Sequence, residues 1–160
     1  MLGTTRYEIR IDRPAAQVWA LAGDAPRLHE WFPGIVASPV DGTTRVITME
    51  AGMSMPEEIV CCDNTIRRFQ YRITVPIFKH HRGTIDVIDL GDDTCLVVYS
   101  TEADPRTMAL VIGGGTAGAL DELKRQMESG MHDTGTHDTG PHDTGPHDTG
   151  TATTHTGGTH

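Results

Sequence analysis

Between residues 35 and 102 the chain is cut at short intervals by turn-forming residues, and that punctuation restricts its fold more than any single motif. The interruptions fall at Asp41-Gly42, Gly52, Asp63-Asn64, Pro76 and Gly91-Asp92-Asp93, leaving runs at about 35–40, 43–49, 53–62, 66–75, 79–90 and 94–102. Connections this short have no room for the crossover that parallel strands need, so an antiparallel meander is expected. Phe69, Tyr71, Ile73 and Val75 alternate with Arg68, Gln70, Arg72 and Thr74, which gives that strand an inner and an outer face. Ile85 and Val87 place His81 and Gly83 on their own face. Glu57 shares its phase with Met53, Met55 and Ile59, so it is either buried, with its pKa raised, or near enough to the strand entry to reach water. The run at 94–102 is apolar in both phases and leaves the face of Tyr99 open.

Ahead of the meander, Tyr7, Ile9 and Ile11 alternate with Glu8, Arg10 and Asp12 as a half-buried strand. A helix starts at Asp12-Arg13-Pro14 with Ala15, Val18, Trp19 and Ala22 as its apolar face, and Gly23 ends it. Asp24 and Pro26 open a second short helix carrying Leu28 and Trp31, which Pro33-Gly34 terminates. Behind the meander comes the one long amphipathic segment, 104–129. Asp104-Pro105 reads as a cap with a first-turn proline, Met108, Ile112, Leu120, Leu123 and Met127 form a stripe, and Asp121/Arg125 is spaced for an i,i+4 pair. Gly113-Gly114-Gly115 sits inside it. Three glycines cost a helix roughly 3 kcal/mol against alanines, so the helix either breaks there or uses the missing side chains for a close approach. Residues 113–118 also match G-x-G-x-x-G, but too little chain follows for a second parallel strand or a ribose-binding acid, which argues against a dinucleotide site.

Beyond Met131 the sequence is a different object. His-Asp-Thr-Gly recurs from His132, His137, His142 and His147 at a five-residue period, a composition that cannot bury enough apolar surface to offset chain entropy. The expected organisation is a folded domain at 1–130 and a disordered tail at 131–160. Truncation after Gly130 is expected to leave the melting temperature nearly unchanged, which a thermal melt checks. The tail histidines are candidates for weak zinc, nickel or copper binding, with a passive solubilising extension as the alternative. The formal charge of −9, less the four tail aspartates and with no Lys or Arg there, leaves −5 for the rest, which disfavours nucleic acid as a partner. Three cysteines, two of them adjacent, disfavour a disulfide framework and fit a reducing cytosol. No segment has the length and apolarity to insert stably in a membrane. Adjacent His80 and His81 point apart in a strand, and nothing in the domain has the spacing of a metal quartet, a nucleophile elbow or paired acids.

Strand, two short helices, six strands and a long helix describe an α+β protein in which a curved antiparallel sheet of about seven strands wraps a C-terminal helix. The stretch Ile11-Asp12-Arg13-Pro14-Ala15-Ala16-Gln17-Val18-Trp19-Ala20-Leu21, followed by Asp24 and by Trp31-Phe32-Pro33-Gly34, resembles the opening of the polyketide cyclase/dehydrase and lipid-transport group. That group belongs to the START-like, birch-pollen-allergen-like helix-grip superfamily, and the resemblance spans roughly 4–129. It implies a cavity between sheet and long helix for an apolar or amphipathic small molecule, without implying one reaction. The residues expected to line it are Trp31, Met55, Glu57, Phe69, Tyr71, His81, Tyr99, Met108, Ile112 and Gly114. The expected function is binding, transport or sequestration of a lipid- or polyketide-like molecule, with no cofactor and an oligomeric state the sequence leaves open. The rivals are a cyclase or dehydratase using a cavity Tyr, His or Glu as general acid/base, and a protein whose tail binds metal or a partner. His29 beside Trp31 is a further proton-transfer candidate, against a solvent-facing His and a packed Trp.

Overall fold

The computed structural model describes residues 1–130; the expectations for the tail, including metal binding at His132, His137, His142 and His147, lie outside the described residues. The elements are β1 (Gly3–Ile11), α1 (Ala15–Ala22), a 3-10 turn (Ala25–Arg27), α2 (Leu28–Trp31), β2 (Ile35–Ala37), β3 (Val40–Asp41), β4 (Thr44–Met49), β5 (Ser54–Asp63), β6 (Arg68–Ile73), β7 (His80–Gly91), β8 (Thr94–Asp104) and α3 (Arg106–Glu128). The protein is α+β with a helix-grip fold: a curved antiparallel sheet, short helices after the first strand and a long C-terminal helix. Gly52 and Gly91 turn β4 into β5 and β7 into β8 at φ of 82° and 77°, the left-handed region that favours glycine.

The sheet order is β1-β8-β7-β6-β5-β4-β2, with β3 paired to β4. The meander therefore runs from β4 to β8, and β1 closes against β8 with Tyr7 opposite Tyr99. The sheet has eight strands where about seven were expected, because the 35–40 run divides at Ser38-Pro39. Pro39 has no N–H to give a ladder, and the Ser38 hydroxyl is turned away to donate to the Pro26 carbonyl at 2.6 Å.

Helix α3 is continuous through the three glycines, and each has its own surroundings. A Cβ on Gly113 would lie 2.7 Å from Thr5 Oγ1, so this is where the helix crosses β1 closely. Nothing lies within 4 Å of a Cβ on Gly114, and a Cβ on Gly115 would touch the Phe32 ring at 3.5 Å. Two local expectations are corrected. Asp104 belongs to β8 and Pro105 takes the cap position, so helix begins at Arg106. Arg125 pairs with Glu122, one turn back at i,i+3, rather than with Asp121.

The core is concentrated at one end. Ile11, Val18, Leu21, Ile85, Val87, Val97, Leu120 and Leu123 are all buried and join α1 and the middle of the sheet to the second half of α3. The large residues of that half fill the space against the sheet. The first half, with its glycines, leaves space, and the pocket described next lies there.

Candidate functional site

The sequence alternation that makes β4, β5 and β6 one-sided also aims their inner side chains at the first half of α3. Between them is a pocket of about 390 Å³. Its walls are Leu28, Phe32 and Ile35 at the α2 end, Ile47 and Met49 of β4, Ser54, Met55 and Glu57 of β5, and Tyr71 and Ile73 of β6. Tyr99 of β8 and Met108, Ile112 and Gly115 of α3 complete it, and Val75 and Phe78 border it from the β6–β7 connection. Met53, Ile77 and Val111 also line it and are about 60% exposed or more (58%, 60% and 68%), so they form an apolar mouth.

Its polar wall is small. Tyr71 and Tyr99 share a hydrogen bond between their hydroxyls at 2.7 Å. The ring of Tyr71 passes close over Gly83, where a Cβ would come within 2.2 Å of it, so the absent side chain on β7 is what lets this phenol reach its partner. Beside them Glu57, 3% exposed, accepts from Arg45 Nε at 2.8 Å and pairs with Arg45 Nη2 at 2.7 Å. Arg45 itself is 2% exposed, directly opposite Glu57 across the β4–β5 ladder. Its guanidinium sits 5.1 Å from the ring centres of both Phe69 and Tyr71 and donates to the Ala25 carbonyl at 3.4 Å.

Burial sets the protonation of these groups. Loss of hydration raises the Glu57 carboxyl above its ordinary range, an effect that the attraction of Arg45 only partly offsets. The Tyr71 phenol is pushed well above its ordinary value, first by burial and then by the Tyr99 and Glu57 charges; burial raises Tyr99 as well. Both phenols therefore remain protonated donors at neutral pH.

Of the ten residues expected at the site, Met55, Glu57, Tyr71, Tyr99, Met108 and Ile112 line this pocket. Trp31 is instead packed in the core at 1% exposure. Phe69 lies behind the wall, under Arg45. His81 also stands behind it, its ring 5.4 Å from those of Tyr71 and Phe78 and its Nδ1 accepting from the Ile73 N–H at 3.0 Å. Gly114 faces away; Gly115 is the glycine at the wall. His29 is exposed and engages Ser38 Oγ at 3.1 Å, away from the pocket. Arg45, the buried partner of Glu57, is the residue at this wall that sequence reading missed. A signal was present: Arg45 shares the phase of Ile47 and Met49, so a positive charge on the apolar phase of β4 faces a negative one on the apolar phase of β5. Among the described residues no cluster of His, Cys, Asp and Glu is placed to hold a metal ion, and no helix is long and apolar enough to cross a membrane.

A sheet that grips a long helix around an apolar pocket defines the helix-grip class. The chain belongs to the polyketide cyclase/dehydrase and lipid transport family, whose family model matches residues 3–128. Among solved structures it is similar to the protein XoxI from Bacillus cereus, at 24% identity and a TM-score of 0.72 over 77% of this chain and 94% of that one. A solution structure from Thermobifida fusca matches at 28% identity and a TM-score of 0.68, covering 81% of this chain and 95% of that one. Norcoclaurine synthase from Thalictrum flavum, in complex with dopamine and hydroxybenzaldehyde, matches at 18% identity and a TM-score of 0.65, covering 81% and 88% of the two chains, and shows the shared fold. No curated protein sequence matches the chain.

Proposed function

We propose that this protein binds a small, mainly apolar molecule in the pocket under α3, as a carrier or sequestering protein. The observation that carries the reading is the pocket itself: about 390 Å³ with an apolar mouth, apolar walls and polar groups gathered on one side. That is the composition of a small-molecule site, in which apolar contact supplies affinity and a few polar groups fix orientation. The family description joins cyclases and dehydrases to lipid transport, and the norcoclaurine synthase complex places two small aromatic molecules on the same fold. A second reading, a cyclase or dehydratase, is favoured by Glu57, a carboxyl of raised pKa at the pocket wall beside two phenols. It ranks second because general acid–base work calls for groups titrating near neutrality, and both phenols are pushed away from it while His81 stands behind the wall.

The glycines of α3 provide the test. Gly115→Leu adds a side chain at the pocket wall and is expected to weaken binding of an apolar fluorescent dye by at least about fivefold. Gly114→Leu adds the same side chain where a Cβ meets nothing, so dye affinity should be unchanged while stability rises by about 0.5–1 kcal/mol from helix propensity. Wild-type dye affinity in the Gly115 variant would count against the pocket as the binding site.

A further inference from the structure

The polar wall leaves two hydrogen-bonding positions unfilled. Arg45 directs both Nε and Nη2 to one oxygen of Glu57, Oε2. The other oxygen, Oε1, takes no hydrogen bond from any described residue, yet it is not among the sealed, unpartnered atoms, which are Trp31 Nε1, His81 Nε2 and Thr101 Oγ1. Glu57 lines the pocket, so Oε1 is an acceptor open to whatever the pocket holds. The phenols leave a donor. Two hydroxyls carry two hydrogens, and the bond between Tyr71 and Tyr99 uses one of them. The second phenol hydrogen finds no acceptor among the described residues. Glu57 and Tyr71 are diagonal neighbours on β5 and β6, where Glu57 pairs with Ile73 and Tyr71 with Ile59, so the free acceptor and the spare donor lie on the same patch.

An alcohol or phenol hydroxyl is the simplest group that satisfies both: it donates its hydrogen to Glu57 Oε1 and accepts from the tyrosine pair. Charged head groups fit poorly. No Lys, Arg or His lines the pocket, so a carboxylate there would be stripped of water beside Glu57 with no counter-ion. An ammonium would approach a carboxylate already neutralised by Arg45 and would face the buried guanidinium behind it.

Resting on the reading of this pocket as a binding site, we propose that its ligand is an uncharged, mainly apolar molecule bearing a hydroxyl, which Glu57 Oε1 and the Tyr71–Tyr99 pair select over carboxylates and over hydroxyl-free analogues. The test compares naphthalene, 2-naphthol and 2-naphthoate, at neutral pH where the naphthol is uncharged, in displacing an apolar dye from the full chain. The naphthol is expected to bind at least about tenfold more tightly than either of the others, the scale of one hydrogen bond to a charged acceptor. A double variant, Arg45→Met with Glu57→Met, removes the ion pair without orphaning either charge, and the ratio of naphthol to naphthalene affinity should fall most of the way to one in it. Naphthalene binding as well as naphthol in the wild type, naphthoate binding as well or better, or an undiminished preference in the double variant would each overturn the proposal. These outcomes leave the binding reading standing. Failure of all three compounds to displace the dye would overturn both.

Discussion

Replacing Glu57 by methionine is expected to destabilise the fold by about 3–5 kcal/mol, and replacing Arg45 by methionine by somewhat less. Each substitution keeps the volume roughly constant, so the cost comes from the charge left behind. Both groups are almost sealed from water, at 3% and 2% exposure, and each is the other's principal partner. The two singles differ because the survivors differ. A lone Glu57 carboxyl can take up a proton, and its pKa is already raised by burial, so the Arg45→Met variant is relieved as pH falls. A lone guanidinium cannot lose its proton and remains charged between the Phe69 and Tyr71 rings, with only those faces and the Ala25 carbonyl to receive it. The double variant should recover most of the loss, because a buried ion pair replaced by apolar side chains of similar volume is often neutral in stability, and a thioether packs well against aromatic rings. Urea denaturation of the four proteins measures the cycle. A double variant as unstable as the worse single would show that the pair holds the fold by more than mutual neutralisation.

The elements whose period was clean were legible in the sequence, and those whose environment is set by distant partners were not. Strict alternation over 68–75 follows from one face of β6 being inside and the other in water, and it fixed Phe69, Tyr71 and Ile73 on the inner side. β8 gave no such signal because it lies between β1 and β7 with Val97, Val98 and Tyr99 all buried, so only the pairing register decides that Tyr99 meets Tyr71. The 104–129 stripe announced a helix, yet the roles of its three glycines depend on where β1 and Phe32 lie, a tertiary fact: one meets Thr5, one meets nothing and one borders the pocket. Trp31 and Phe69 illustrate the same limit. Local pattern marks an aromatic residue as inward, but whether it walls a pocket or fills the core behind it depends on which side chain stands between it and the pocket, here Phe32, the residue after Trp31, and Arg45, two strands away from Phe69.

His81 should make the fold acid-sensitive in a defined window. Its Nδ1 accepts the Ile73 N–H at 3.0 Å, so the neutral ring carries its proton on Nε2 and a second proton can enter only by breaking that bond. Burial first, and the neighbouring His80 charge second, lower its pKa from 6.5 to about 4. The sign follows directly. The unfolded chain binds this proton more tightly than the native protein does, so the contribution is fully present above pH 6.5 and is lost as pH falls through 4. A shift of that size corresponds to about 3 kcal/mol across the window. Carboxylates also titrate there, so wild type alone cannot isolate the histidine; His81→Asn can, because the amide oxygen occupies the place of Nδ1, can still accept from Ile73, and does not titrate. Denaturant unfolding at pH 7 and pH 4 should show the wild type losing about 3 kcal/mol more than the Asn variant between the two. Equal losses would mean that the ring protonates in the folded protein as readily as in water, and that the strand β7 side chain is not the buried acceptor on which the wall behind Tyr71 rests.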